Sequence, residues 1–372
     1  MKSKANPMAP SHDRFAAAYG ELSDAIARHA FPGCAFGVLA GGKVVLQDAL
    51  GRFTYEESAP EVSAETVFDV ASLTKVAATT ATAMLLQQRG LLDMDTPLGE
   101  LLPGFVVGRS AGDMARHVKL RHLLAHNSGL PGYVEFFRTA GTPVELMRAC
   151  LELPLEAEPG TRAEYSDPGF ILLGKALEVS LRESLATFAG REIFAPLGMS
   201  ATGFCPISAS RSSIPPTEED TDLRKRRIQG EVQDENAWVL KGISGHAGLF
   251  SNVPDLLRFS GELLNAGRRT ESETETRRIF DAATVELFSE RQGPVGSSFA
   301  LGWDTPSENS SSGHHFSPRS IGHLGYSGCS LWIDREARVA VALLTNRTWP
   351  DRKSQLIREV RPAFHDAVRD AL

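Results

Sequence analysis

The chain has 372 residues, 42% of them hydrophobic, 23% charged and only 8% aromatic, which supplies a large apolar core and excludes disorder, collagen-like repetition and a small disulfide scaffold. Thirty-nine Lys plus Arg against 46 Asp plus Glu leave a formal net charge of -7. Nothing in that balance draws the protein to nucleic acid or to an anionic membrane, and no nucleic-acid partner is expected.

Four cysteines, Cys34, Cys150, Cys205 and Cys329, are widely spread with no C-x-x-C pair, and are expected to be small core residues. The opening stretch MKSKANPMAPSHDRF carries early positive charge with no apolar run behind it. No run of about 18 or more apolar residues occurs, so no membrane span is expected. The cytoplasm is the expected compartment, with an unusual export signal or a missing upstream start, and hence the periplasm, left open.

Residues 11 to 30 have helical character, and CAFGVLAGGKVVLQDALG then places two short apolar runs around Gly41-Gly42, a hairpin signal. From about Val76 to Glu231 the chain reads as helix and loop. VAATTATAMLLQQRG predicts a helix closed by Gly90. DPGFILLGKALEVS predicts another, with Asp167 able to cap, Pro168 at the first helical position, and Phe170, Leu173 and Leu177 on one face. Two stretches read as surface loops, RRTESETETRR from Arg268 and PSENSSSGHHFSPRS from Pro306. From Ser330, LWIDREARVAVALLTN predicts strand, turn at Asp334 to Ala337, and strand, followed by a helix from about Asp351.

Isolated hairpins are only marginally stable, so strands at both ends predict one antiparallel sheet built from the two termini and flanked by helices. The expected class is α/β (α+β). Residues 11–75 plus 232–372 form a discontinuous α/β domain, residues 76–231 a mostly helical one, and the active site lies between them. No internal repeat at solenoid periods is present.

TVFDVASLTKVAATTATAM places Ser72 and Lys75 three apart at the start of a helix, on one face. A serine hydroxyl is a poor nucleophile alone, but a lysine amine deprived of solvent can accept its proton, and a helix N-terminus favours the developing alkoxide. The pair by itself is weak evidence, since about one Ser-x-x-Lys is expected by chance, and Ser72 can equally be an N-cap. Downstream, GTRAEYSDPGFILLGKALE presents Tyr165 just before a helix, and IGHLGYSGCSLWID is a glycine-rich turn running into a strand.

In this order the three segments resemble the serine hydrolases related to class C β-lactamases, penicillin-binding DD-peptidases and the similar family VIII carboxylesterases, which carry Ser-x-x-Lys, Tyr-x-Asn and Lys or His-x-Gly. LRHLLAHNSGLPGY from Leu120, IFAPLGMSATGF from Ile193 and GEVQDENAWVLKGISGHAGLFSNVPDLLRF from Gly230 extend the likeness over roughly residues 14 to 365. The resemblance implies that Ser72 is acylated, that Lys75 is its neighbouring amine, and that Tyr165 relays protons. It implies an oxyanion hole from the backbone N–H groups of Ser72 and Tyr326, with Gly325 admitting close approach and His323 in place of the third-motif lysine.

The second motif departs from the pattern, ending in Asp167 instead of asparagine. An ionised carboxylate there favours protonated Lys75 and neutral Tyr165, weakening both as bases. Asp167 either points away as the helix cap or pairs with Lys75 and leaves Tyr165 as the principal proton carrier. A mostly neutral histidine in the third motif, with Asp167 nearby, disfavours anionic substrates and favours neutral esters or amides.

His246 in SGHAGLF and Asp234, Glu235 and Asn236 in QDENA are expected on a loop covering the site, as turn or as substrate contact. His122 and His126, four apart, are a rival metal pair, but the glutamate of H-E-x-x-H and a third ligand are lacking. His314-His315 reads as a solvated pair.

The expected function is a serine hydrolase working through a covalent acyl-enzyme on a small ester or amide, with weak β-lactamase or D-amino-acid peptidase activity alongside. No metal or organic cofactor is expected, the partner is a small-molecule ester, amide or β-lactam, and the oligomeric state is open. The alternative is a noncatalytic module that binds peptidoglycan fragments or a protein partner.

Overall fold

The structure, a computed structural model, describes residues 13–267 and 278–372, so the charged run expected as a loop from Arg268 lies, up to Arg277, outside the described residues. Helix α1 (Ala16–Ala27) leads into β1 (Gly33–Ala40) and β2 (Lys43–Gly51). The predicted hairpin turns on Gly41 and Gly42, with φ of 57° and 83°, the left-handed pair a two-residue hairpin loop requires. Next come β3 (Phe68–Asp69), a π-helical turn Lys75–Thr80 and α2 (Ala81–Gln88). Short helices follow, then α3 (Asp167–Leu181), β4 (Gly203–Phe204), β5 (Glu218–Asp220), β6 (Arg226–Ile228), β7 (Leu249–Ser251) and α4 (Val253–Leu264). The chain ends with β8 (Ile321–Leu324), β9 (Ser330–Asp334), β10 (Val339–Thr345) and α5 (Ile357–Asp370).

The sheet has the order β2-β1-β10-β9-β8 and is antiparallel throughout. Both chain ends build it, as expected, because β1 pairs with β10 in the register Cys34↔Thr345 to Ala40↔Val339. Period-two alternation divides its side chains between two cores. Phe36, Val38, Trp332, Val341 and Leu343 pack against Leu22 of α1 and Val360, Phe364 and Val368 of α5. Ala35, Leu39, Leu331, Ile333, Ala342 and Leu344 face Val253, Leu256 and Leu257 of α4, in a core that continues into α2 and α3. A small sheet β3-β7-β4, with Asp69↔Phe250 in register, anchors the chain just before Ser72.

Two expectations need correction. Cys34, Cys150 and Cys329 are buried, but Cys205 is exposed, in a left-handed backbone conformation beside β4. The last helix begins at Ile357, because from there Ile357, Val360, Phe364 and Val368 form one apolar face for the sheet.

Gly37 on β1 faces α4, where an added Cβ would lie 2.5 Å from Val253 Cγ1 and 2.9 Å from Leu257 Cδ1. Gly37→Val is expected to cost about 1–3 kcal/mol through overpacking. Gly20→Ala, in α1 with open space around it, is expected to gain roughly 0.5–1 kcal/mol. Urea unfolding of the two variants checks the opposite signs.

Candidate active site

Ser72 follows a tightly held backbone. Val70 N donates to Leu249 O at 3.1 Å, and Thr74 Oγ1 accepts from Leu249 N at 3.0 Å, so both sides of the serine are tied to β7. Ala71 sits at φ 47°, a strained conformation for a residue with a Cβ, and its N–H donates to the buried Asp69 carboxylate at 2.8 Å. The chain then turns directly into helix, Lys75 N donating to Ser72 O at 3.0 Å. Ser72 stands immediately before the helix, and its hydroxyl meets Lys75 Nζ, on the face of Lys75 as the spacing predicts.

Lys75 is fully buried. Its ammonium donates to Asp167 Oδ1 at 2.6 Å, Ser72 Oγ at 3.0 Å and the His246 carbonyl at 3.1 Å, which uses all three donors. Burial pulls the pKa of Lys75 down, yet the Asp167 charge and hydrogen bond outweigh it and the net shift is upward. Lys75 is thus an ammonium in the resting protein. Of the two places open to Asp167, the structure takes the ion pair. Ser166 is the residue that caps α3, its Oγ accepting from Gly169 N at 3.0 Å, so Asp167 occupies the first helical position with its carboxylate free to meet Lys75.

Tyr165 lies against the same group, with the Lys75 ammonium 4.8 Å from its ring centroid. Burial raises its phenol pKa and the Lys75 charge opposes this, leaving a net upward shift and a neutral phenol. Hydrogen bonding from Lys75 and Ser72 also works against the rise without reversing it. The ring packs against His126 in a tilted arrangement, 4.5 Å between centroids, and the His323 ring lies 5.8 Å away.

The two histidines of the rival metal pair each accept a backbone N–H. His126 follows the short helix Leu120–Leu124 at φ 52°, and its Nδ1 accepts from Ser166 N at 2.9 Å, while His122 Nδ1 accepts from Lys119 N at 3.2 Å. Among the described residues, no group of three or more His, Cys, Asp or Glu is arranged to hold a metal ion.

His323 stands on β8. Burial first, and then the charge of Lys75, push its pKa down to about 3, so the ring is neutral. Its Nδ1 meets the Leu324 carbonyl at 2.8 Å, which places the proton on Nδ1 and leaves Nε2 an acceptor. Gly325 closes on the nucleophile segment, since a Cβ there would lie 2.5 Å from Val70 O, and Ser327 Oγ donates to Asp69 O at 2.7 Å. Among the described residues, neither Ser72 N–H nor Tyr326 N–H donates to a protein acceptor.

His246 does not cover the site as expected; it lies beneath it, 1% exposed. Its Nε2 meets Asp234 Oδ1 at 2.8 Å and its Nδ1 meets Ser244 Oγ at 2.7 Å, holding the carbonyl that receives Lys75. Burial opposes ionisation of Asp234, but the His246 charge and hydrogen bond bring its pKa down to about 2. Asn236 accepts from Phe137 N at 3.1 Å and donates to Val134 O at 2.8 Å, clamping the loop beside Tyr133. Glu235 is spent on Arg352 at 2.6 Å. His314 contacts Asp366 at 2.8 Å on the surface. Asp69 was missed by the sequence reading, since nothing in FDVAS shows that its side chain accepts from Ala71 N and, at 2.7 Å, from Gln233 N.

A family model described as Beta-lactamase matches residues 13–362 of the chain. The N-acetylmuramyl-L-alanine amidase of Bacillus subtilis (strain 168) is 30% identical over 349 residues, 85% of this chain and 77% of that protein. Among solved structures, EstCE1, a hydrolase with promiscuous acyltransferase activity, aligns with a TM-score of 0.74 at 24% identity, covering 96% of this chain and 99% of its own. A penicillin-binding protein homolog from Caulobacter crescentus aligns with a TM-score of 0.75 at 18% identity, covering 97% and 98%.

Asp167→Asn removes the largest influence that raises Lys75 against the effect of burial. Because the native pKa of Lys75 lies above its unfolded value, the stabilisation from the pair is present below about pH 10 and lost as pH rises through the native pKa. The variant is expected to lose about 3–5 kcal/mol at pH 7, with the loss shrinking toward pH 10 as its lysine neutralises. Urea unfolding at the two pH values measures both.

Proposed function

The chain belongs to the Beta-lactamase family and is a serine hydrolase, and on that premise we propose that Ser72 is its acylated nucleophile. The observation that carries the reading is the meeting of Ser72 Oγ, at 3.0 Å, with a buried ammonium that Asp167 neutralises at 2.6 Å.

A protonated Lys75 is not the base. It acts as a fixed cation donating to Ser72 Oγ, which lowers the energy of the alkoxide that forms during attack. Tyr165, a neutral phenol, is both acceptor and donor. As Ser72 Oγ bonds to the substrate carbonyl carbon, the hydroxyl proton passes to the phenol oxygen in the same event in which the phenol's own proton moves to the leaving-group oxygen or nitrogen, so the phenol never carries two protons. The bond from carbon to that protonated group then breaks, releasing alcohol or amine. Water adds to the acyl-enzyme, giving one proton to Tyr165 as Tyr165 passes its own to Ser72 Oγ, and collapse yields acid and free enzyme with no net change at either residue. Carbonyl charge is received by Ser72 N–H and Tyr326 N–H, the two uncommitted donors beside the nucleophile. Gly325 leaves room for that approach, and His323 Nε2 offers an acceptor at the rim.

Neutral esters and amides suit this site. The Lys75 charge is already balanced by Asp167, and His323 is neutral, so neither offers a substrate carboxylate a free cation. The amidase activity in the name of the Bacillus subtilis relative supports including amides. Nothing in the site favours the binding-module alternative, since Ser72 Oγ stands within hydrogen-bond reach of Lys75.

Ser72→Ala is expected to lower kcat by about 10⁴ or more and to abolish a fluorophosphonate adduct in intact-protein mass spectrometry. Tyr165→Phe is expected to lower kcat by roughly 10²–10⁴ while leaving that adduct on Ser72. A short-chain p-nitrophenyl ester is expected to exceed a chromogenic cephalosporin in kcat/KM, and the opposite order contradicts the neutral-substrate reading.

A further inference from the structure

Two arginines grip the turn after β8, and neither has a carboxylate partner among the described residues. Arg361, on α5 and only 7% exposed, donates from Nη2 to the Gly325 carbonyl at 2.7 Å and the Cys329 carbonyl at 2.9 Å. Its Nε reaches the Gly328 carbonyl at 3.3 Å, and Arg347 Nε donates to the Tyr326 carbonyl at 2.7 Å. Burial lowers the pKa of Arg361 to about 10, which still leaves it charged at neutral pH. Burying a cation without a counter-ion is expensive, and here the negative ends of three peptide dipoles are what offset it.

The position is anomalous for the helix as well. Ile357, Val360, Phe364 and Val368 form the apolar stripe of α5, and Arg361 falls on that stripe where packing alone calls for an aliphatic side chain. The Gly325 carbonyl already accepts from Gly328 N at 3.0 Å, so the turn closes without the arginine.

Gly325 C=O and Tyr326 N–H are opposite ends of one planar trans peptide. Holding the oxygen fixes the plane and therefore the direction of the N–H, and a cation at the oxygen draws electron density from the nitrogen and strengthens the N–H as a donor. We propose that Arg361 is a positioning residue for acyl transfer, gripping the Gly325 carbonyl so that the Tyr326 N–H is aimed and polarised toward the oxyanion formed on the substrate. The proposal rests on the reading of Tyr326 N–H as an oxyanion donor.

The test compares an aryl ester with its thionoester, in which sulfur replaces the carbonyl oxygen and accepts hydrogen bonds poorly, using the full chain and Arg361→Met, Arg361→Gln and Arg361→Lys. Rates are expressed per site that fluorophosphonate labels to completion, so partial unfolding does not enter. The wild-type chain is expected to prefer the oxygen ester strongly. In R361M and R361Q, kcat for that ester is expected to fall on the order of 10- to 100-fold with KM nearly unchanged, and the oxygen-to-sulfur preference to fall with it. R361K, which keeps charge but not the fork, is expected to lie between, and it decides the matter if the other two do not fold. A folded variant with the wild-type preference, whether or not its kcat falls, overturns the proposal and leaves Arg361 a structural anchor. A wild-type chain with no Ser72-dependent turnover fails the underlying functional reading instead, and one that does not discriminate against sulfur fails the oxyanion role of Tyr326.

Discussion

The buried ion pair between Lys75 and Asp167 is the constraint around which the site is arranged. A lysine ammonium with no exposed surface is tolerated only if its charge and all its protons are answered, and the surroundings of Lys75 supply a carboxylate, a hydroxyl and a main-chain carbonyl. Each places a demand on a different part of the chain. The carboxylate requires α3 to begin at Asp167, where the positive end of the helix dipole also favours it. The hydroxyl requires the strained turn at Ala71. The carbonyl requires the segment through Gly245 and His246 to lie directly on α3, which Gly174 and Gly245 permit: a Cβ on Gly174 would stand 2.7 Å from Gly245 Cα, and one on Gly245 would stand 2.1 Å from Phe170 O.

Behind these contacts is a further set of polar residues that never reach the nucleophile. His246 and Asp234 hold the carbonyl under Lys75, while Asp69 holds the N–H groups of Ala71 and Gln233. Burial raises the Asp69 carboxyl to about 6. Ionised Asp69 is therefore a cost that the fold carries above that pH and is relieved of below it, the sign for an acid whose native pKa exceeds its unfolded one. The backbone it holds is the strained one at Ala71, directly before the nucleophile.

Much of the architecture is legible in the residues themselves. Gly41-Gly42 announces the first hairpin, and the short apolar runs of β1 and β10 announce strands that are buried along nearly their whole length. Ser72, Lys75 and Asp167 meet directly, the Lys75 ammonium lies over the Tyr165 ring, His323 lies near that ring, and Gly325 closes on Val70. What could not be read was which of two local options a polar residue takes when a distant partner decides. SDPG allows either Ser166 or Asp167 to cap, and only the arrival of Lys75, 92 residues earlier in the chain, selects Ser166. His246 is a loop residue whose burial its neighbours do not announce, because the short helix Glu235–Val239 separates it in sequence from its partner Asp234. Arg361 did leave a trace, a charge on an apolar stripe, but its meaning depends on the turn it meets.

The resting site contains an ammonium and not a neutral amine beside Ser72. The direct measurement is the ¹⁵N shift of Lys75 Nζ in lysine-labelled protein at pH 8, assigned by its loss in Lys75→Arg. An ammonium signal is the expected result. A neutral-amine signal at that pH contradicts the account, since Lys75 is then free to take the serine proton and the relay through Tyr165 is not needed.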